Sequence, residues 1–325
     1  MKKKRIIVIF TGGTISMAKD NETKTNQIID NQNELIHNIS NELDHVDIVT
    51  KTFSLKPSPA MTPSDMFELA KLVKSYLNDP QNTGVVITHG TDTLEESAYF
   101  LDLYISSEKP VVFTGAMRSY SELGFDGYSN LVSSILVAAN EQSINKGVLV
   151  CLNDEINTAS EVTKSHTLAL DTFKSLEFGP IGIVEQENVI YTRLAPRRSI
   201  DMMPNKIETN VEVIKVTSGS SSFILNLLIK HQIKGIVIEA LGRGNVPPQM
   251  VDGIKKAIDL NIPIVITSRC PKGRVLGNYG YVGGGHHLKE LGVIFTNNLS
   301  AQKAKIRLML ALGLTSSIQK LKKLF

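Results

Sequence analysis

IIVIFTGGT, residues 6–14, sets the terms on which the rest of the chain is read. Ile6 to Phe10 are apolar without alternation, and the run stops at once at Thr11-Gly12-Gly13-Thr14. A short run that is apolar on both faces is a strand covered on both sides, the habit of parallel sheets flanked by helices. The paired glycines then let the backbone turn sharply and approach a ligand closely. Working outward, similar runs recur at Val85 to Thr88, Val111 to Thr114, Gly147 to Leu152, Gly235 to Glu239, Pro263 to Thr267 and Gly292 to Thr296. Helical patterns lie between them. In the clearest, Thr62 can cap, Pro63 suits a first turn, and Met66, Leu69, Ala70, Val73 and Leu77 form one apolar stripe. The expected fold class is α/β, with mostly parallel strands and helices on either side.

At 325 residues with 42% hydrophobic content, the chain is long enough for two domains. The segment from Asn188 to Asn210 is rich in Arg, Pro, Met and Asn and has no sustained period, which suggests a connection. The expected division is a large N-terminal domain over 1–188, a linker over 189–210 and a small C-terminal domain over 211–325, ending in an amphipathic helix around Ala301 to Leu312. Val211 to Val216 restarts the alternation of strand and helix.

Charge excludes some function classes. Lys and Arg number 35 against 32 Asp and Glu, a net charge of +3. The basic clusters at Lys2 to Arg5 and Lys320 to Lys323 suit exposed ends better than a nucleic-acid grip, so no nucleic-acid partner is expected. The apolar run after Lys4-Arg5 falls short of the roughly 7–15 residues of a signal core. No window approaches the roughly 18 apolar residues of a membrane span, so neither secretion nor a membrane is expected. Cys151 and Cys270 are isolated, which fits free thiols in a reducing, cytoplasmic setting. The adjacent His286-His287 pair in YVGGGHHLKE reads as loop structure, not as a ligand set, and no metal is expected.

In open parallel sheets, ligands bind beyond the carboxyl ends of the strands. That rule selects three loops. Thr11-Gly12-Gly13-Thr14 matches neither GxGxxG nor GxxxxGK[ST], so nucleotide binding finds no support. By itself it reads equally well as a glycine turn flanked by capping threonines. His89-Gly90-Thr91-Asp92-Thr93 places a hydroxyl beside a carboxylate at a strand end. Thr93 and Glu96 match the T-x-x-E capping box, which would set Thr91 and Asp92 against a helix N-terminus and its unpaired N–H donors. Thr114-Gly115-Ala116-Met117-Arg118 repeats the geometry with fewer reactive groups.

TGGTIS at 11–16, THGTDTLEESAYFLD at 88–102 and FTGAMRS at 113–119 together resemble the bacterial L-asparaginase family. NDEINTASEVTKSHT at 153–167, GRGNVPP at 242–248 and SAQKAKIRLMLAL at 300–312 continue the match in the same order. The resemblance implies a larger N-terminal catalytic domain with a mostly parallel sheet and a smaller, flavodoxin-like C-terminal domain. It also implies hydrolysis of L-asparagine to L-aspartate and ammonia, with L-glutamine a poorer substrate and no cofactor. Thr14 would be the nucleophile, with Thr91, Asp92 and Lys164 as a further catalytic group. Ser58 would bind the substrate α-carboxylate and Asp92 the α-ammonium. Asn245 would reach a neighbouring subunit's site, which implies a homo-oligomer, usually a tetramer built as a dimer of dimers. Read from the residues alone, Lys164 would pass for a solvated surface charge.

Two features that the secreted members carry are missing. Gln27 stands where a tyrosine follows the Lys24-Thr25-Asn26 triplet, and no carboxylate lies between Arg274 and Lys289, where Tyr279 or Tyr281 could substitute by hydrogen bonding through water. Pro59 replaces a side-chain amide. These departures point to the cytoplasmic branch, whose members bind asparagine more weakly and can be allosteric. They also keep open a non-catalytic amino-acid sensor on the same fold. A third reading, the amidase subunit acting on misacylated transfer RNA, is disfavoured because such subunits carry an additional N-terminal domain.

Overall fold

The computed structural model describes residues 3–194 and 201–325, in two compact units, Met1–Asp201 and Met202–Phe325. The first unit runs β1 (Lys4–Gly12), β2 (Met17–Lys19), β3 (Asn26–Ile28), α1 (Gln32–Ile39), β4 (Val46–Lys56), α2 (Pro63–Asn78), β5 (Asn82–Thr88), α3 (Leu94–Tyr104), β6 (Val111–Thr114), α4 (Gly127–Ala139), β7 (Val148–Leu152), β8 (Glu155–Thr158), β9 (Val162–Lys164), β10 (Phe173–Ser175), β11 (Gly182–Glu185) and β12 (Asn188–Tyr191). Its eight-stranded sheet is ordered β12-β11-β8-β7-β6-β5-β1-β4. The strands from β4 to β7 are parallel, and β8, β11 and β12 extend the sheet antiparallel.

Burial explains why the apolar runs became the sheet centre. Ile6, Val8, Phe10, Val86, Val112, Leu149 and Cys151 face α1 and α4 in one core cluster. Ile7, Ile9, Val85, Ile87, Phe113 and Val150, which alternate with them along the strands, are equally buried on the other face, where α2 and α3 pack. Each such Val, Ile or Phe withdrawn from water contributes roughly 1.5–3 kcal/mol.

The α2 stripe forms as the sequence suggests. Thr62 Oγ1 accepts from the Asp65 N–H at 3.1 Å and Asp65 Oδ2 accepts from the Thr62 N–H at 2.9 Å, closing a capping box with Pro63 in the first turn. At α3 the expectation needs correction. Thr93 occupies the cap position, but its hydroxyl donates to the Ser58 carbonyl at 2.9 Å and caps nothing. A bond to a neighbouring loop has displaced the local one.

The second unit runs β13 (Val211–Lys215), α5 (Phe223–Lys230), β14 (Gly235–Ala240), α6 (Val251–Asp259), β15 (Ile264–Ser268), α7 (Gly285–Glu290), β16 (Ile294–Phe295), α8 (Ala301–Leu314) and α9 (Ile318–Lys323). Its four strands are parallel and pair in chain order, whereas a flavodoxin-like sheet orders its strands 2-1-3-4-5. Ile214, Ile236, Ile238 and Ile266 share a core with α5, α6 and α7. Gly235 lies on the opposite face, where a Cβ would come within 2.8 Å of Leu308 of α8.

The stretch read as a linker is partly structured. Val189, Ile190 and Tyr191 complete β12, the outermost strand of the large sheet. Residues 195–200 of that stretch lie outside the described residues. Beyond them Met202 is fully buried and the Glu208 N–H donates to the Met309 carbonyl at 3.2 Å, so this part packs with the smaller unit. Among the described residues, no helix is long and apolar enough to cross a membrane.

Candidate active site

The loops after β1 and β5 are pressed together through glycine. Gly12 and Gly13 have φ values of 101° and 86°, a region that side chains disfavour. A Cβ on Gly12 would stand 2.5 Å from the Lys56 backbone, and one on Gly13 would stand 2.2 Å from the Gly90 Cα. From the other side, a Cβ on Gly90 would meet Ser58 Cβ at 2.7 Å. Three loops thus converge at glycines with no room for a side chain. Thr14 directly follows this contact and opens a short 3-10 turn, half-buried, with its hydroxyl bonded to none of the described residues.

The β5 loop carries the other hydroxyl. Thr91 is buried, and its Oγ1 accepts from Lys164 Nζ at 2.9 Å, while the same ammonium lies 2.7 Å from Asp92 Oδ1. A lysine ammonium only donates, so the proton of Thr91 remains available to point elsewhere. The Lys164 side chain is 16% exposed and that of Asp92 61%, so the pair opens to solvent on the carboxylate side. Lys164 ends β9, which pairs with β10 with Lys164 opposite Phe173.

Ser58 sits at the junction. It is 4% exposed, its Oγ accepts from the Asp92 N–H at 3.2 Å, and its carbonyl receives Thr93. Its own hydroxyl proton is therefore free to donate to an anion. The structure brings together Thr91, Asp92, Lys164 and Ser58, and sets Thr14 one residue from the glycine contact.

Behind the loop lies a group the sequence reading passed over. His89 is fully buried, with Nδ1 2.8 Å from the Gly90 carbonyl and Nε2 2.9 Å from Ser97 Oγ. The carbonyl can only accept, so Nδ1 carries the proton and Nε2 accepts from Ser97. Burial lowers its pKa to about 4, so it is a neutral strut under Gly90. A histidine that ends an apolar strand, two residues before Thr91, was the signal available. The third loop proves structural: the Met117 and Arg118 N–H groups donate to Asp126, and Asn130 donates to the Gly115 carbonyl and to Asp126.

Gln27 lies in the exposed β2–β3 hairpin opposite Ala18, and its amide donates to Thr25 Oγ1 at 3.0 Å. In the smaller unit, Asn245 Oδ1 accepts from the Gly285 N–H at 3.0 Å, leaving Nδ2 as a donor. Tyr279 and Tyr281 are exposed, with ring centroids 5.8 Å apart. His286 and His287 fall in α7, not in a loop; His287 Nδ1 accepts from the Gly283 N–H and His286 lies 3.3 Å from Glu290. Among the described residues no three His, Cys, Asp or Glu side chains cluster as a metal site would require. Cys151 and Cys270 are both free, and burial pushes the Cys151 thiol up to about 12.

Comparison with known proteins agrees across both units. The family model described as Asparaginase, N-terminal, matches residues 5–197, and that described as Glutaminase/Asparaginase C-terminal domain matches residues 210–325. The chain is 32% identical to an L-asparaginase of Bacillus licheniformis, over 95% of this chain and 96% of the other. It is 31% identical to a glutamyl-tRNA(Gln) amidotransferase subunit of Methanobrevibacter smithii, over 99% of this chain and 75% of the other. A crystal structure of the probable cytoplasmic L-asparaginase from Campylobacter jejuni superposes with a TM-score of 0.89 at 32% identity, covering 99% of both chains. With the glycine-packed loops in place and both parts of the family matched in order, the chain belongs to the asparaginase family.

Proposed function

We propose that this protein is an L-asparagine amidohydrolase in which Thr14 forms a covalent acyl-enzyme. The observation that carries this reading is Lys164 Nζ bridging Thr91 Oγ1 at 2.9 Å and Asp92 Oδ1 at 2.7 Å, beside the glycine contact that precedes Thr14. A threonine hydroxyl is a weak nucleophile without a base, and a hydroxyl–lysine–carboxylate chain supplies a route for the proton.

In this mechanism the substrate α-carboxylate is held by the Ser58 hydroxyl and the α-ammonium by Asp92. Fixing both charged ends selects an amino acid over a simple amide. Thr14 Oγ attacks the side-chain amide carbon, and N–H groups of the glycine loops stabilise the oxyanion. The C–N bond then breaks, the nitrogen takes up the proton that the Thr14 hydroxyl gave up, and ammonia leaves. Thr91 orients a water and relays its proton to Lys164, which takes it as the neutral amine, is held by Asp92 once charged, and returns it to Thr14 Oγ as the ester breaks. That water adds to the ester, aspartate departs, and the Thr14 hydroxyl is restored. No metal or organic cofactor enters.

Glutamine, one methylene longer, is a poorer substrate in this account. The proposal extends to a cytoplasmic homotetramer built as a dimer of dimers, in which Asn245 Nδ2 serves a neighbouring subunit's site. The domain division 1–188, 189–210 and 211–325 belongs to it as well.

Thr14→Ala tests the reading. Ammonia release from asparagine should vanish while the circular dichroism spectrum and the urea midpoint stay those of the parent; full activity in this variant would refute it. A second reading, a non-catalytic amino-acid sensor, draws on the exposed Gln27 in the loop that would carry an activating tyrosine. It would be supported if calorimetry recorded asparagine binding with no ammonia formed over hours.

A further inference from the structure

Lys164 is not carried by the main sheet. Among the described residues its strand β9 pairs only with β10, in a separate two-stranded ribbon, yet its Nζ must be held within hydrogen-bond reach of Thr91 and Asp92. Something must register the ribbon against the sheet, and the residue placed to do so is Asn157. It lies on β8, next to Ile156, which fills the core on one face. Asn157 therefore points to the opposite face, where it is 1% exposed.

Burying an amide costs free energy unless its polar atoms are bonded. Asn157 is bonded to β10. Its Oδ1 accepts from the Ser175 N–H at 3.2 Å and from Ser175 Oγ at 2.7 Å, and its Nδ2 makes a long contact of 3.5 Å to the Phe173 carbonyl. Phe173 is the residue opposite Lys164 in the ribbon. Two residues back on the same face of β8, Glu155 Oε1 holds Lys174 Nζ at 2.8 Å. Thr172 then closes the far end of the ribbon: its hydroxyl accepts from the His166 N–H at 2.7 Å, and its carbonyl accepts from the Ser165 N–H at 2.8 Å.

We infer that Asn157 is a positioning residue for Lys164: by clamping the backbone of β10 it fixes the height at which the lysine meets Thr91 and Asp92. The inference rests on the proposed role of Lys164. Asn157 touches no substrate in this account, so its loss should spare binding and weaken the chemical step. A misplacement of about 1 Å can cost up to a hundredfold in rate, and partial loosening should cost less.

The experiment compares Asn157→Ala with Asn157→Asp, which keeps an acceptor for both Ser175 groups. In purified, folded protein, Asn157→Ala should lower kcat for asparagine roughly tenfold with KM changed less than about twofold, and should shift the acid limb of the kcat–pH profile. Asn157→Asp should recover most of both. If Asn157→Ala does not fold, Ser175→Ala removes only the hydroxyl partner and should lower kcat about twofold to threefold by the same route. Unchanged kcat in whichever of these alanine variants is measured, a rise in KM alone, or an Asn157→Asp variant no better than the alanine would overturn the inference. Lys164→Met, assayed in parallel, separates this failure from that of the functional reading. If that variant keeps full kcat, the lysine role itself falls; if it is inactive while Asn157→Ala is unimpaired, only the positioning role falls.

Discussion

The two halves of the proposed site are held in place by opposite means. The Thr14 side is fixed by absence of side chains: Gly12, Gly13 and Gly90 let three backbone segments come closer than any Cβ allows. The Lys164 side is fixed by presence of them, as Asn157 and Glu155 bond the ribbon to β8 and Thr172 closes its turn. Steric fixation is all-or-none, whereas hydrogen-bonded fixation is graded, because each bond contributes only about 0.5–1.5 kcal/mol net. Substitutions on the two sides should therefore differ in kind as well as size.

The largest effects should come from the two residues to which the proposal gives the chemistry. Thr14→Ala and Lys164→Met should each lower kcat by roughly a thousandfold or more in a coupled ammonia assay, without a matching loss of stability. A variant that kept a tenth of the parent rate would remove its residue from the mechanism.

Next in size, Gly13→Ala should reduce kcat by about a hundredfold, because the new Cβ must push Gly90 and Thr91 from their places. Gly219→Ala is the control. Gly219 also has a positive φ, 79°, but nothing lies within 4 Å of its position, so its cost should be confined to about 1 kcal/mol of stability. Equal activity losses in the two variants would break the steric account.

The strut beneath the glycine contact makes a smaller prediction, read through pH. His89 titrates near 6.5 when exposed but at about 4 when folded, so between those values the unfolded chain binds more protons. Stability conferred by the neutral ring is complete above pH 6.5 and drains away as pH falls toward 4, by an amount of order 3 kcal/mol. Urea midpoints measured across that window should fall with acid in the parent and flatten in His89→Gln. A His89→Gln curve as steep as the parent's would assign the acid sensitivity to other groups.

How much of this was legible in the sequence follows the same division. Strands β1, β5, β6, β7, β14 and β15 announce themselves because burial on both faces demands unbroken apolar runs. The edge strand β4, Val46–Lys56, does not, since Thr50, Lys51 and Thr52 are exposed and carry no core signal. β8 to β12 pair antiparallel in pieces of three or four residues, too short for a period to show. At the site, Gly12-Gly13 and Thr91-Asp92 could be found from strand-end chemistry alone. Lys164 could not, because its partners lie 72 and 73 residues away and only the fold reveals them. The capping box at Thr93 misled for the same reason, a distant carbonyl having claimed the hydroxyl.

The smallest expected effect concerns the hairpin that would carry an activating tyrosine. Gln27 is exposed and engages Thr25, so Gln27→Ala should leave kcat within about twofold. A loss as large as that of Lys164→Met would instead make the hairpin a third part of the machinery.

The account's central claim is that Thr14 carries the acyl group. Rapid quenching of the protein during turnover of asparagine, followed by intact-mass and peptide mapping, tests it most directly. The account predicts an adduct of one aspartyl group on the peptide holding Thr14, absent from Thr14→Ala. Ammonia release without any adduct on that peptide, or an adduct placed on Thr91, would contradict it.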